Sequence, residues 1–122
     1  MIIEELRIGN LVLFENEIQE ISSIHSDNTI RLRKNKNEKC HGCYKVDSFK
    51  IKPILLTQEL LLNLGYKNVG MYFQIDTNIE FFINENKLIC DLYGETLYNM
   101  DFVHQLQNLH FSLYHEQLKI NK

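Results

Sequence analysis

In the first fifty or so residues, apolar positions alternate with polar ones or gather in short runs. Leu11–Phe14, Ile18–Ile24 and Thr29–Arg33 are such runs, divided by Glu15-Asn16-Glu17 and Ser26-Asp27-Asn28, compositions that favour turns. The pattern predicts a three-stranded antiparallel meander. Within Thr29–Arg33, strand alternation sends Ile30 and Leu32 to the core and Arg31 and Arg33 to solvent. A fourth strand is expected over Tyr44–Lys52, with Tyr44, Val46 and Ile51 inward and an irregularity near Asp47-Ser48. Four or five short strands in this space predict a small SH3-like antiparallel β unit.

Pro53 marks a junction. After it, Thr57 is placed to cap a leucine-rich helix, Glu59 sits in its first turn, and Gly65 is placed to end it. Met71–Asp76, Ile79–Asn84 and Lys87–Tyr93 then read as three strands of a second antiparallel meander, joined at hairpin lengths. Phe102, Leu106, Leu109 and Leu113 recur at spacings of four, three and four, the stripe of an amphipathic helix. Asp101 is expected in the first turn of that helix, and the helix is expected to lie across the second meander. Glu116–Asn121 reads as a final strand or a frayed end.

The predicted class is therefore α+β: the SH3-like unit, a helix, an antiparallel β-meander and a C-terminal amphipathic helix. A single compact domain over residues 1–122 is expected, divided into a strand-rich part (1–52) and a helix-meander-helix part (53–122). Composition agrees, since 44% hydrophobic and 24% charged residues with one proline and five glycines are ordinary for a folded domain. The N-terminus has glutamates where a secretory signal needs positive charge, and no apolar run approaches the roughly 20 residues of a membrane helix. Three cysteines cannot all pair within one chain. The expectation is a cytoplasmic protein with reduced thiols and no membrane partner.

Charge changes the picture more than composition does. Residues 31–52 hold eight Lys and Arg against Glu38 and Asp47 (net +6), whereas the remaining residues hold five basic and fourteen acidic side chains (net −9). The core of this basic island is Arg31–Lys45, RLRKNKNEKCHGCYK. Arg31, Arg33, Lys34, Lys36 and Lys39, with Tyr44 as a stacking ring, would suit a phosphate backbone or an acidic, RNA-bearing protein surface. A lysine-rich hairpin also serves simply as a solvated, aggregation-resistant edge, and the acidic body opposes a long polyanion.

Cys40 and Cys43 form half of a zinc knuckle, because two sulfurs on one turn can take adjacent corners of a tetrahedron. The other half is absent from the sequence. His41 lies within the turn, Cys90 sits in an expected strand, and His25 has no second ligand beside it. A free-thiol loop is the expectation, with zinc at Cys40, Cys43, His25 and one further residue the alternative. His104, His110 and His115 fall at spacings of six and five, not the three or four of a helical metal pair, and read as surface or capping residues. Gln105, Gln107 and Asn108 face either solvent or a partner. No Gly-rich phosphate loop, His-Glu-x-x-His or Gly-x-Ser-x-Gly motif occurs. No enzyme activity and no cofactor are expected.

The aromatic run of the second meander raises a sharper question. Adjacent residues of a strand point to opposite faces, so Tyr72 and Phe73, like Phe81 and Phe82, cannot share one core. Either each face is covered or an apolar surface around Tyr72 and Phe82 stays open for a partner.

ELRIGN near the start, PILLTQELLLNLGY after the junction and FVHQLQNLHFSL near the end resemble a family of short proteins from phages and mobile elements of Bacteroidetes bacteria, one without an established activity or catalytic residues. The resemblance implies a mobile-element accessory protein, and such elements often encode inhibitors of host defence, including anti-CRISPR proteins. The expected function is a non-enzymatic protein-binding module, such as an inhibitor of a host defence nuclease acting on a host protein or RNA-bearing complex. The alternative is a small single-stranded RNA- or DNA-binding module using residues 31–45.

Overall fold

Strand alternation builds the first sheet as expected. The structure, a computed structural model, describes residues 5–33, 45–75, 78–97 and 100–120. It divides into two compact units, one of Met1–Ile54 with Phe102–Gln117 and one of Leu55–Asp101 with Leu118–Lys122.

In the first unit β1 (Leu11–Phe14), β2 (Glu17–Ile24), β3 (Thr29–Arg33) and β4 (Lys45–Asp47) form an antiparallel sheet in that order. The β1–β2 connection is two residues long, with Glu15 and Asn16 both at positive φ (52° and 65°), as a type I′ hairpin requires. A register shift between Ile21 and Ser23 bulges β2, and the Ser22 hydroxyl there donates to the Arg31 carbonyl at 3.1 Å. After β4 a 3₁₀ turn, Ser48–Lys50, reverses the chain so that Lys52 exchanges two 2.9 Å backbone hydrogen bonds with Leu13. The outer edge of β1 is thereby occupied and the sheet curls into an SH3-like half-barrel. Val12, Phe14, Ile21, Ile30, Leu32, Val46 and Ile51 fill it, with Leu6 beside them. Ile30, Leu32, Val46 and Ile51 are inward as expected, and Tyr44 lies outside the described residues.

The C-terminal helix belongs to this unit and not, as its stripe suggested, to the second meander. It is α2 (Val103–Tyr114), and it contacts β1. Its buried face is Val103, His104, Leu106, Gln107 and His110, while Leu109 and Leu113 are half-buried. The reason is polar. Gln107 accepts from the Leu11 amide (2.7 Å) and donates to the Gly9 carbonyl (3.2 Å), and Asn108 donates to the Glu5 carbonyl (2.8 Å) and accepts from Asn10 (2.9 Å). Asn10 in turn accepts from the Arg7 amide at 2.7 Å. Backbone groups at the entry to β1 thus find their partners on the helix. Phe102, not Asp101, precedes the first turn, and its amide donates to the Gln105 side chain at 3.0 Å. Residues 102–117 thus group with residues 1–54, across the intervening 55–101.

In the second unit Thr57 caps α1 (Gln58–Asn63) by accepting from the Leu60 amide at 3.1 Å, with Glu59 in the first turn. Gly65, at φ 97°, ends the helix in a Schellman motif: its amide donates to Leu62 and that of Tyr66 to Leu61. A five-stranded antiparallel meander follows in sequence order: β5 (Lys67–Val69), β6 (Tyr72–Gln74), β7 (Ile79–Asn84), β8 (Lys87–Leu92) and β9 (Glu95–Leu97). The strands β5 and β9 add to the three expected. Phe73, Ile79, Phe81 and Cys90 are buried, as are Leu56, Leu61, Leu64 and Tyr66. The Tyr66 ring meets Phe81 edge-on at 5.6 Å. Glu116–Ile120 is not a strand.

Candidate functional site

Alternation settles which aromatics of the second meander are core. Phe73 pairs with Phe81, and Phe81 with Cys90, so this row lies on the buried face. Tyr72, Phe82 and Ile89 consequently lie on the other. Val69 is opposite Tyr72, and Phe82 is opposite Ile89. The Tyr72 and Phe82 rings meet edge-to-face at 6.1 Å, so Val69, Tyr72, Phe82 and Ile89 form one row across four strands. Val69 is 51% exposed and Tyr72 41%, and at the β5–β6 tip Met71 is 83% exposed. Phe82 and Ile89 are half-buried. Exposure on this face is therefore greatest toward the β5–β6 end of the row.

The next row on the same face is polar: Lys67, Gln74, Glu80, Asp91 and Thr96, in strand order. Glu80 and Asp91 are directly opposite each other. Thr96 donates its hydroxyl to Asp91 at 3.0 Å. Elsewhere in this unit Leu55, Ile83, Leu88 and Met100 line an open cleft of about 480 Å³, with Thr57, Gln58, Asn86, Lys87 and Asp101 also lining it.

The basic island is less free at its start than the sequence suggested. Arg33 is directly opposite Glu20 and donates to both carboxylate oxygens, at 3.1 and 3.2 Å. Arg31 is half-buried, and its Nε is a buried atom without a hydrogen-bond partner among the described residues. Lys34, Lys36, Lys39, Tyr44, Cys40 and Cys43 lie outside the described residues. His25, the third ligand considered for zinc, has its ring 3.1 Å from the Ser23 hydroxyl. Among the described residues no three His, Cys, Asp or Glu side chains group to hold a metal ion. No helix among them is long and apolar enough to cross a membrane.

Two histidines expected at the surface are inside. His104 is 1% exposed and His110 8%. His104 stacks near-parallel on Phe102, and its Nε2 is 3.6 Å from a Glu5 carboxylate oxygen. Burial pushes its pKa below the ordinary value, opposed by Glu5. His115 does cap, ending α2 in the left-handed conformation (φ 56°) with its amide on Phe111. Cys90 is buried, and burial, with Asp91 adding to it, pushes its thiol up to about 12, which keeps it protonated and unreactive near neutral pH. Gln107 and Asn108 are turned inward to the β1 entry, so the chemistry the sequence offered to a partner there is used within the unit.

No protein-family model matches the chain, and no curated protein or solved structure is significantly similar to it.

Proposed function

We propose that this chain is a non-enzymatic protein-binding module whose contact surface is the outer face of the second meander, centred on Tyr72 and Phe82. The observation that carries the reading is the Val69–Tyr72–Phe82–Ile89 row with exposed Met71 at its end. Scattered exposed apolar residues are ordinary on a folded protein, whereas a contiguous row marks an interaction surface. Aromatics and methionine are also the residues enriched at interface cores. The resemblance to mobile-element proteins extends the proposal to an accessory protein that inhibits a host defence nuclease, in the manner of anti-CRISPR proteins, by binding a host protein or its RNA-bearing complex. A photo-cross-linking phenylalanine analogue at position 72 should capture a discrete host protein, and one at exposed Ser26 should not. Undiminished binding of that captured protein, once purified, to the Tyr72→Ser, Phe82→Ser double variant refutes the assignment.

A second reading, a small single-stranded RNA- or DNA-binding module, is favoured by a feature of the first unit. Phe49 is 73% exposed next to Lys50, and Lys50 and Lys52 line a cleft of about 460 Å³ with Leu13, Phe14, Glu15 and Asn16. An exposed ring next in sequence to one of two cleft-lining lysines offers base stacking with phosphate contact, adding to Arg31, Lys34, Lys36, Lys39 and Tyr44. Salt-dependent binding of oligouridine, weakened by Lys50→Glu with Lys52→Glu, tests it. Absence of binding at low salt removes it.

A further inference from the structure

Resting on the protein-binding reading, we infer that the outer face of the second meander takes a partner segment bearing arginine beside an apolar residue. The warrant is the adjacency of two rows on one sheet face. In the polar row Glu80 and Asp91 are directly opposite on adjacent antiparallel strands, an arrangement in which like charges repel. Among the described residues neither has a lysine or arginine partner, and Asp91 receives only the Thr96 hydroxyl. Lys67, the cation of that row, is separated from Glu80 by Gln74. The apolar row with the Tyr72 and Phe82 rings lies two residues along each strand, roughly 7 Å away.

An arginine laid on this face satisfies both rows at once. Its stem and planar guanidinium stack on the rings while its donors reach the two carboxylates in a fork. A lysine, as a point charge without a flat face, captures less of this. The surrounding charge favours the same occupant, since residues 55–101 carry Lys67 and Lys87 against seven acidic side chains and steer cations. Five strands span roughly 20 Å, which an extended segment of about six residues covers.

The probes are four capped hexapeptides, (Leu-Arg)₃, (Leu-Lys)₃, (Leu-Gln)₃ and (Leu-Glu)₃, titrated into the full ¹⁵N-labelled chain by NMR. (Leu-Arg)₃ should shift the amides of Tyr72, Glu80, Phe82 and Asp91. It should bind about five- to tenfold more tightly than (Leu-Gln)₃, a difference set by one cation–π contact and an exposed ion pair, with (Leu-Lys)₃ between them and (Leu-Glu)₃ weakest. Glu80→Gln with Asp91→Asn should bring (Leu-Arg)₃ down to the (Leu-Gln)₃ affinity while leaving the spectrum folded. The inference is overturned if this double variant leaves (Leu-Arg)₃ binding unchanged, or if the shifts map to another acidic surface. If (Leu-Gln)₃ binds this face as well as (Leu-Arg)₃ does, arginine selection is refuted while the docking surface stands. If no peptide shifts the face, both are refuted.

Discussion

Replacing Gln107 by leucine gives an apolar side chain one atom shorter and removes the amide's polarity at a position that is 1% exposed. Two hydrogen bonds disappear, one from the Leu11 amide at 2.7 Å and one to the Gly9 carbonyl at 3.2 Å. The two losses are unequal. Gly9 keeps a donor in Gln117, also at 3.2 Å, so that carbonyl is not stranded. The Leu11 amide has no such reserve in the hydrogen bonds of this region. Two neutral hydrogen bonds at about 1 kcal/mol each, plus about 1–2 kcal/mol for an unpaired amide, give a loss of about 3 kcal/mol. Against a total stability of roughly 5–15 kcal/mol that is a large fraction. Urea unfolding followed by far-UV circular dichroism should show it as a midpoint lower by about 1–2 M. Hydrogen exchange supplies a residue-specific check, because the Leu11 amide should exchange faster in the variant relative to other β1 amides. Ser112→Ala, at an exposed site of the same helix where the hydroxyl bonds only the Asn108 carbonyl, is the control and should change stability by under about 0.5 kcal/mol. A Gln107→Leu variant as stable as the Ser112→Ala control would refute the claim that these bonds hold the helix.

Three further outcomes are expected. The β7–β8 turn holds Glu85 and Asn86 at positive φ (53° and 62°), so Glu85→Asn with Asn86→Gly should stabilise the chain by about 1 kcal/mol, and a lower thermal midpoint would contradict the turn assignment. Because the folded chain holds His104 below the ordinary histidine pKa, the unfolded chain takes up its proton first as pH falls. The His104 contribution is therefore complete above the unfolded value of about 6.5 and is lost progressively as pH drops through the folded value; His104→Phe should flatten the dependence of the urea midpoint between pH 7.5 and 5, and an unchanged slope would count against it. Cys90 should escape alkylation by iodoacetamide in the native protein and react once unfolded, which peptide mass spectrometry reads directly, and modification at native pH 7 would show that the site opens.

Much of the fold could be read from short-range pattern. Alternation placed Ile30 and Leu32 in the core, and Thr57 and Gly65 marked the ends of α1, because each of those signals acts within a few residues. The destination of α2 was not legible. Its apolar stripe is compatible with any sheet, and the choice is made by Gln107 and Asn108, whose partners Gly9, Leu11, Asn10 and Glu5 lie near the other end of the chain. Burial of His104 follows from the same docking. Strands β5 and β9 are three residues each, too short to show a period. For the candidate site, the impossibility of burying both Tyr72 and Phe73 on one side was visible in sequence. The confrontation of Glu80 with Asp91 was not, because a one-residue change of register would separate them.

The first unit is built from two stretches of chain with the second unit's residues 55–101 between them, and this sets an order on the ribosome. The Leu11 amide waits for Gln107, 96 positions later, which at elongation rates of about 5–20 residues per second is an interval of roughly 5–20 s. During that time the half-barrel can close through Leu13 and Lys52, both already made, while the backbone at its entry bonds only to water. The second meander is complete before α2 is synthesised. The docking of α2 is therefore a long-range step, and a chain that ends before residue 107 has no side-chain partner for the Leu11 amide.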